Sequence, residues 1–250
     1  MKSFSSEGLL SVIVPNYNYG RFIEEAIRSV QRQSYAPIEL VVIDDGSTDD
    51  SCERVRDLMS RTNGISRMEL IETGENRGKL AAINTGLQYC FGEYCIILDA
   101  DDLLNENYAR RCIRNLIDAR KRSPSVGFVY TNCKLIGKHG DVLGHGKSTA
   151  FDPQLIEEFS FIPEPAVVLM STMIEAAPFD ESIRKGTKHH KWRRIIANGW
   201  SGNHIPEPLF SYRMHDENLS GIGSRVLEEI DSGHRGERIL SGYWPTQARQ

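Results

Sequence analysis

The sequence predicts an α/β fold: a mostly parallel central sheet flanked by helices, Rossmann-like, running into a smaller α+β portion. Three observations carry this. Through the first half of the chain, short unbroken apolar runs alternate with stretches whose apolar residues recur at helical spacing. Each apolar run ends in Asp, Asn, Gly or Ser, at the place where open α/β sheets bind ligands. Beyond Asn132 the periodicity weakens and the pattern becomes irregular.

Taken in order, Leu9-Leu10-Ser11-Val12-Ile13-Val14 is a β-branched run halted by Pro15, and predicts the first strand. A loop of turn formers and aromatics, Pro15 to Gly20, follows. Phe22, Ile23, Ala26, Ile27 and Val30 then define an amphipathic helix over 21–33. Residues 38–43 form a second buried strand, which ends in Asp44-Asp45-Gly46-Ser47-Thr48-Asp49. Ser47 or Thr48 is expected to cap the next helix, whose stripe is Cys52, Val55, Leu58 and Met59. A third strand over 68–72 leads through Thr73-Gly74-Glu75-Asn76-Arg77-Gly78 into a helix carrying Leu80, Ile83 and Leu87.

The central strand, Cys95-Ile96-Ile97-Leu98, is apolar without a break, as a strand buried on both faces must be. It runs directly into Asp99-Ala100-Asp101-Asp102. The next helix turns Ala109, Cys112, Ile113, Leu116 and Ile117 inward, with Asp102 a possible N-cap, and 126–132 is a fifth strand. Residues 137–148 read as a loop or hairpin, and 163–169 as a strand after a Pro-rich turn. Residues 188–198 read as a helix with Trp192, Ile195 and Ile196 inward, and 209–213 as a short strand. The predicted organisation is a nucleotide-binding half, 1–132, an acceptor-binding half of the same domain, 133–232, and a polar, disordered tail, 233–250.

Composition narrows the function. The 250 residues are 40% hydrophobic and 26% charged, ordinary for a globular protein, and the net charge of −4 argues against a nucleic-acid binder. Five cysteines lack CxxC spacing and most sit in apolar patterns, which predicts buried free thiols in a reducing compartment. Met1 to Gly8 is polar, unlike a signal peptide, and no apolar stretch reaches the roughly 18–20 residues of a membrane span. The expectation is a cytoplasmic protein with at most peripheral membrane contact.

Carboxylates as dense as Asp99, Asp101 and Asp102 repel one another unless a cation sits between them. A hard divalent ion, Mn²⁺ or Mg²⁺, takes oxygen ligands and shares them with phosphate; the alternative is an acidic turn. Four strand ends would meet along one sheet edge: Pro15-Asn16-Tyr17-Asn18, Asp44-Asp45-Gly46-Ser47, Asn76-Arg77-Gly78-Lys79 and the Asp99 to Asp102 run. Together they suggest a nucleotide site, with an aromatic to stack on a base, a carboxylate to accept from it and a metal for a diphosphate. Singly, Tyr17 is as well explained by loop packing and Asp44-Asp45-Gly46 by a turn.

The runs SVIVPNYNYGRFIEEAIRSVQRQSYAPIELVVIDDGSTDDS, ENRGKLAAINTGL and GEYCIILDADD resemble the family 2 nucleotide-sugar glycosyltransferases of the GT-A fold. A weaker echo, FDESIRKG and then IPEPLFSYRMH, extends the likeness to about residue 215. The resemblance implies a nucleotide-diphospho-sugar donor, a UDP-sugar by family habit, a divalent metal, and inversion at the anomeric carbon. It implies that Tyr17 faces the base, that Asp45 accepts a hydrogen bond from it, and that Pro15 lies where the loop backbone touches the nucleotide. Asp101 would ligate the metal directly, while Asp99 faces the ribose or holds the metal's waters. Arg77 or Lys79, with Asn76 beside them, would assist at the diphosphate or else remain solvated charges. His215 would approach the metal or diphosphate, against the alternative of a surface histidine. The acceptor would be a glycan, a lipid-linked glycan or another hydroxyl.

The sequence departs from the family at one point. After FDES and a glycine the family carries an acidic pair whose aspartate is the expected general base, whereas Thr187 and Lys188 stand here. His189 or His190 is the candidate base in its place, the other reading being an exposed basic helix start. A non-enzymatic nucleotide-sugar-binding protein is the competing function. A sugar-phosphate nucleotidyltransferase is disfavoured, because the first strand is not followed by a Gly-rich basic loop.

Overall fold

Strand β1 (Ser6–Asn16) lies at the middle of a parallel group, which is why Leu10 to Val14 carry no exposed face. The computed structural model describes residues 6–61, 63–158, 160–216 and 218. β2 (Ile38–Asp44) and β3 (Arg67–Glu72) continue the parallel group on one side, and β4 (Gly92–Ile97) borders β1 on the other. Helices α1 (Gly20–Gln31), α2 (Ser51–Met59) and α3 (Lys79–Leu87) make the crossovers. Phe22, Ile23, Ala26, Ile27 and Val30 of α1 are all buried, as their spacing predicts.

β1 does not stop at Pro15 as expected; it runs on to Asn16 with Pro15 in register with Ile43. The Ile13 carbonyl accepts from Leu98, so at period two the missing N–H of Pro15 faces the side where β4 has already ended. No ladder bond is lost.

Past β4 the sheet turns antiparallel. β8 (Val167–Leu169) joins β4 to β6 (Val126–Ile136), and β6 carries β7 (Val142–Gly146) as a hairpin. β9 (Ser201–Arg213) runs parallel to β6 and pairs at its far end with β5 (Leu103–Leu104). The order is β3-β2-β1-β4-β8-β6-β9-β5. Because β5 directly follows the acidic run, this last pairing brings the end of β9 back beside the end of β4. The sheet crosses the expected 132/133 division without a break, since β6 spans it.

Helix α4 (Tyr108–Arg122) covers β6, with Ala109, Cys112, Ile113 and Leu116 buried. Ile117, expected inward, is 43% exposed at the edge of the stripe. Asp102 does not cap α4, because β5 intervenes and Asn107 precedes the helix. Nor do Ser47 and Thr48 cap α2, which starts at Ser51 after Asp50. The short helix α5 (Leu155–Glu158), α6 (Met170–Ala176) and α7 (Thr187–Ala197) complete the α+β portion, and on α7 Trp192 and Ile195 are buried. All five cysteines are free, and four of them are buried. Among the described residues no helix is long and apolar enough to cross a membrane. The polar tail expected over 233–250 lies outside the described residues.

Candidate active site

The ends of β1 and β2 are fastened to each other by side chains. Asn16 Nδ2 donates to Asp44 Oδ2 at 2.8 Å and to Ser47 Oγ at 3.1 Å. The backbone N–H of Asn18 donates to the same Ser47 hydroxyl, and Asn18 Oδ1 accepts from Thr48 N–H, each at 2.8–2.9 Å. Asn18 takes a left-handed φ of 58°, which Asn tolerates better than most residues. Asp49 Oδ2 accepts from Gly20 N–H at 2.8 Å and satisfies the start of α1. A Cβ on Gly20 would come 2.3 Å from the Asp50 carboxylate and 2.9 Å from that of Asp49, so a larger residue here would push these side chains aside. Ser47 and Thr48 therefore serve this interlock rather than α2. Tyr17, held between the bonded Asn16 and Asn18, projects with 42% of its surface exposed.

Asp45 is buried, and both its oxygens accept backbone N–H groups from the next loop: Arg77 at 3.0 Å and Gly78 at 2.7 Å. Gly78 sits at φ 93°, and a Cβ there would lie 2.3 Å from the Arg184 guanidinium. The Arg77 side chain turns outward to Glu181 at 2.6 Å, and Asn76 Oδ1 faces Arg184 at 3.5 Å. Asn84 holds the backbone of Phe179 in both directions, at 2.8 and 2.9 Å. The FDES segment is thus docked against the loop that Asp45 clamps.

At the end of β4 one ligand atom from each of Asp99, Asp101 and Asp102 lies within 4.8 Å of the others. Asp101 Oδ2 is 3.0 Å from His215 Nε2 and 3.3 Å from Asn218 Nδ2. His215 is buried against Tyr19 and Phe22, so the sequence-predicted pair is brought together in a fixed setting. Oxygen donors in this number suit a hard divalent ion, and the added imidazole nitrogen favours Mn²⁺ over Mg²⁺. Asp99 is already matched by the ammonium of Lys79 at 2.5 Å. Burial pushes the Asp99 carboxyl up, and the Lys79 ammonium opposes that shift. Burial also raises Asp102, which Asp101 and Asp99 push further, and its Oδ1 accepts the Arg213 N–H at 3.0 Å.

Behind Asp99 lies a carboxylate that sequence reasoning missed. Glu164 is 5% exposed, pairs with Lys191 at 2.8 Å and has Lys79 at 4.0 Å. Burial works to raise its carboxyl, but the Lys191 and Lys79 ammoniums prevail and hold it at about 2. Its neighbours Pro163 and Pro165 give no periodic context, so nothing local marked it. Lys191 did leave a signal: Lys188, Lys191, Trp192 and Ile195 follow i, i+3, i+4, i+7, one face of α7. A lysine in the stripe that holds Trp192 is an inward lysine. Lys188 is half-buried on that face, and burial, opposed by Glu164, draws its ammonium down to about 8.

His189 and His190 leave α7 on other faces. His189 Nε2 meets the Ile156 carbonyl of α5 at 2.5 Å, and His190 Nε2 accepts the Asp180 N–H at 3.4 Å. Asp99, Asp101, Lys79 and His215 are gathered at one strand end; the two histidines contact the backbone of the surrounding shell.

A model of the family described as "Glycosyl transferase family 2" matches residues 11–159. Streptococcus pneumoniae glycosyltransferase GlyG is 37% identical over 99 residues, 40% of this chain and 32% of GlyG, so the chain spans about a third of that relative's length. Staphylococcus aureus TarS, solved with UDP-GlcNAc, superposes with a TM-score of 0.61 at 18% identity, over 84% of this chain and 60% of that one. The mannosyltransferase PcManGT of Pyrobaculum calidifontis, solved with GDP-Man and Mn²⁺, gives 0.62 at 23% identity, over 91% and 65%. The fold is GT-A. With well over half its length inside the family model, the chain belongs to glycosyl transferase family 2.

Proposed function

We propose that this chain moves a sugar from a nucleotide-diphospho-sugar, a UDP-sugar, to an acceptor hydroxyl with inversion, using a divalent cation held at Asp101 and His215. The single observation that carries the reading is the 3.0 Å approach of Asp101 Oδ2 to His215 Nε2 at the end of β4, on the same sheet edge as Tyr17 and Asp45. TarS binds UDP-GlcNAc and PcManGT binds GDP-Man with Mn²⁺, which supports this donor class and this kind of ion.

In this reading the exposed ring of Tyr17 stacks on the base, and the clamped Asp45 accepts a hydrogen bond from it. Pro15 and the Asn76–Gly78 backbone line the nucleotide between them. When bound, Mn²⁺ or Mg²⁺ supplies a Lewis acid that offsets charge on the departing diphosphate. Asp99, oriented by Lys79, faces the ribose. Lys188, rather than His189 or His190, is the α7 group that meets the transferred sugar, because it shares the inward face with Lys191. The acceptor is a glycan, a lipid-linked glycan or another hydroxyl compound.

Titrating UDP with and without Mn²⁺, followed by a donor-hydrolysis assay, tests the proposal. Mn²⁺-dependent binding with turnover is the expected result; UDP binding indifferent to Mn²⁺ overturns the cation site. One observation favours a second reading: the first turn of α7 carries no acidic residue, and Lys188 stands where a base would. Tight UDP and Mn²⁺ binding with neither transfer nor hydrolysis would mark a nucleotide-sugar-binding protein without activity.

A further inference from the structure

We infer that Arg213 is the positioning residue of the cation site: it sets Asp101 and His215 at their working separation without ligating the ion itself. The inference rests on the proposed site at Asp101 and His215.

Those two donors lie 114 positions apart in sequence, on the end of β4 and on the segment that follows β9. Arg213 ends β9 and grips the acidic turn from both sides. Its Nε donates to the Asp101 carbonyl at 2.9 Å, and its own N–H donates to Asp102 Oδ1 at 3.0 Å. Asn218 Nδ2 returns to the Arg213 carbonyl at 3.0 Å while also reaching Asp101 Oδ2 at 3.3 Å. The backbone and the side chain of Asp101 are therefore both held from the end of β9, by Arg213 and Asn218 on either side of His215.

The rest of the guanidinium anchors that segment to two further elements. Nη1 donates to the Lys138 carbonyl of the β6–β7 turn at 3.0 Å, and Nη2 donates to Glu25 Oε2 of α1 at 2.7 Å. Phe22 lies under the same group, 4.8 Å from ring centroid to Cζ. Arg213 is fully buried, whereas Glu25, the carboxylate partner of its guanidinium among the described residues, is 54% exposed. A buried guanidinium carries a heavy desolvation cost, and an apolar residue would fill the space without it. Only the planar fork reaches acceptors on three segments at once. A lysine keeps the charge and loses the fork.

The test compares the parent with Arg213→Lys and with Glu25→Gln, which alters only the outer hold on the guanidinium. Mn²⁺ affinity is read by electron paramagnetic resonance at saturating UDP, UDP affinity by calorimetry in EDTA, and folding by thermal melting. For Arg213→Lys we expect Mn²⁺ affinity to fall by about 10–100-fold, the usual effect of removing a group that orients a metal's ligands, with EDTA-state UDP affinity unchanged. Glu25→Gln should give a smaller fall of the same kind. Mn²⁺ bound by Arg213→Lys as by the parent overturns the inference, and so does an equal fall in Mn²⁺ and metal-free UDP affinity, which would mark a general structural role. If Arg213→Lys does not fold, Glu25→Gln decides alone: a selective loss of Mn²⁺ affinity supports the inference and parental affinity overturns it. A parent that binds UDP but no Mn²⁺ removes the cation site itself, and this inference with it.

Discussion

The two sides of the candidate site are stiffened by opposite means. Around β1, β2 and the Asn76–Gly78 loop, neutral and singly charged side chains satisfy backbone amides: Ser47 for Asn18, Asp49 for Gly20, Asp45 for Arg77 and Gly78. Around β4, β8 and α7, charges are matched against one another, half-buried Asp99 with Lys79 and buried Glu164 with Lys191. The first arrangement fixes loop shape at little electrostatic risk, since each of these backbone amides has a local acceptor. The second is sensitive to any single loss, because a buried charge without its partner costs far more than the pair contributes. The side that would hold the nucleotide is thus rigid by loop geometry, and the side that would meet sugar and acceptor is rigid by charge balance.

That contrast can be broken experimentally, and the largest effect belongs to the strand end shared by both sides. Asp101→Asn should abolish Mn²⁺-dependent UDP binding while leaving the melting temperature close to the parent's. Calorimetry with and without Mn²⁺ reads it, and parental affinity in both conditions would remove Asp101 from the cation site.

The charge-balanced side should fail next in stability. Lys191→Met removes the hydrogen-bonded partner of the Glu164 carboxylate and leaves it Lys79 at 4.0 Å, while its Oε2 is buried with no hydrogen-bond partner among the described residues. The expected loss is about 3–5 kcal/mol in chemical denaturation, largely recovered by adding Glu164→Gln. The same pair predicts an acid limit. The folded carboxyl is held at about 2, below its ordinary 4.5, so its stabilisation is complete above pH 4.5 and disappears as pH falls through that window. Glu164→Gln should flatten that part of the stability–pH curve.

The loop-fastened side should respond more mildly. Asp45→Ala should weaken UDP binding by about 1–3 kcal/mol, by leaving the base's donor and two loop amides without their acceptor. Unchanged UDP affinity would take Asp45 out of the nucleotide site.

The smallest effect separates Lys188 from the histidines. Burial lowers the Lys188 ammonium to about 8, so its charge opposes folding below that pH and the penalty fades as pH rises towards its ordinary 10.5. Lys188→Met should therefore raise the melting temperature slightly at neutral pH, with no gain in strongly alkaline buffer. On activity, His189→Ala and His190→Ala should each retain most turnover. A loss of about 10²–10⁴-fold in either variant would restore a histidine base.

The amino-acid pattern alone determined the βαβ half and the strand ends that carry Tyr17, Asp45, Lys79 and the aspartates. Period and turn chemistry are local properties, and a parallel sheet must align its carboxyl ends. It also held the inward Lys191, written in the face shared with Trp192. What only the tertiary structure decided is whatever depends on chain segments far apart in sequence. Glu164 opposite Lys191 comes from β8 inserting beside β4. Asp102 under Arg213, and His215 against Asp101, come from β9 returning to β5. Pairings across 27, 111 and 114 positions leave no periodic trace, because what selects them is the need of a buried charge for a partner, and that need can be met only once the sheet has closed.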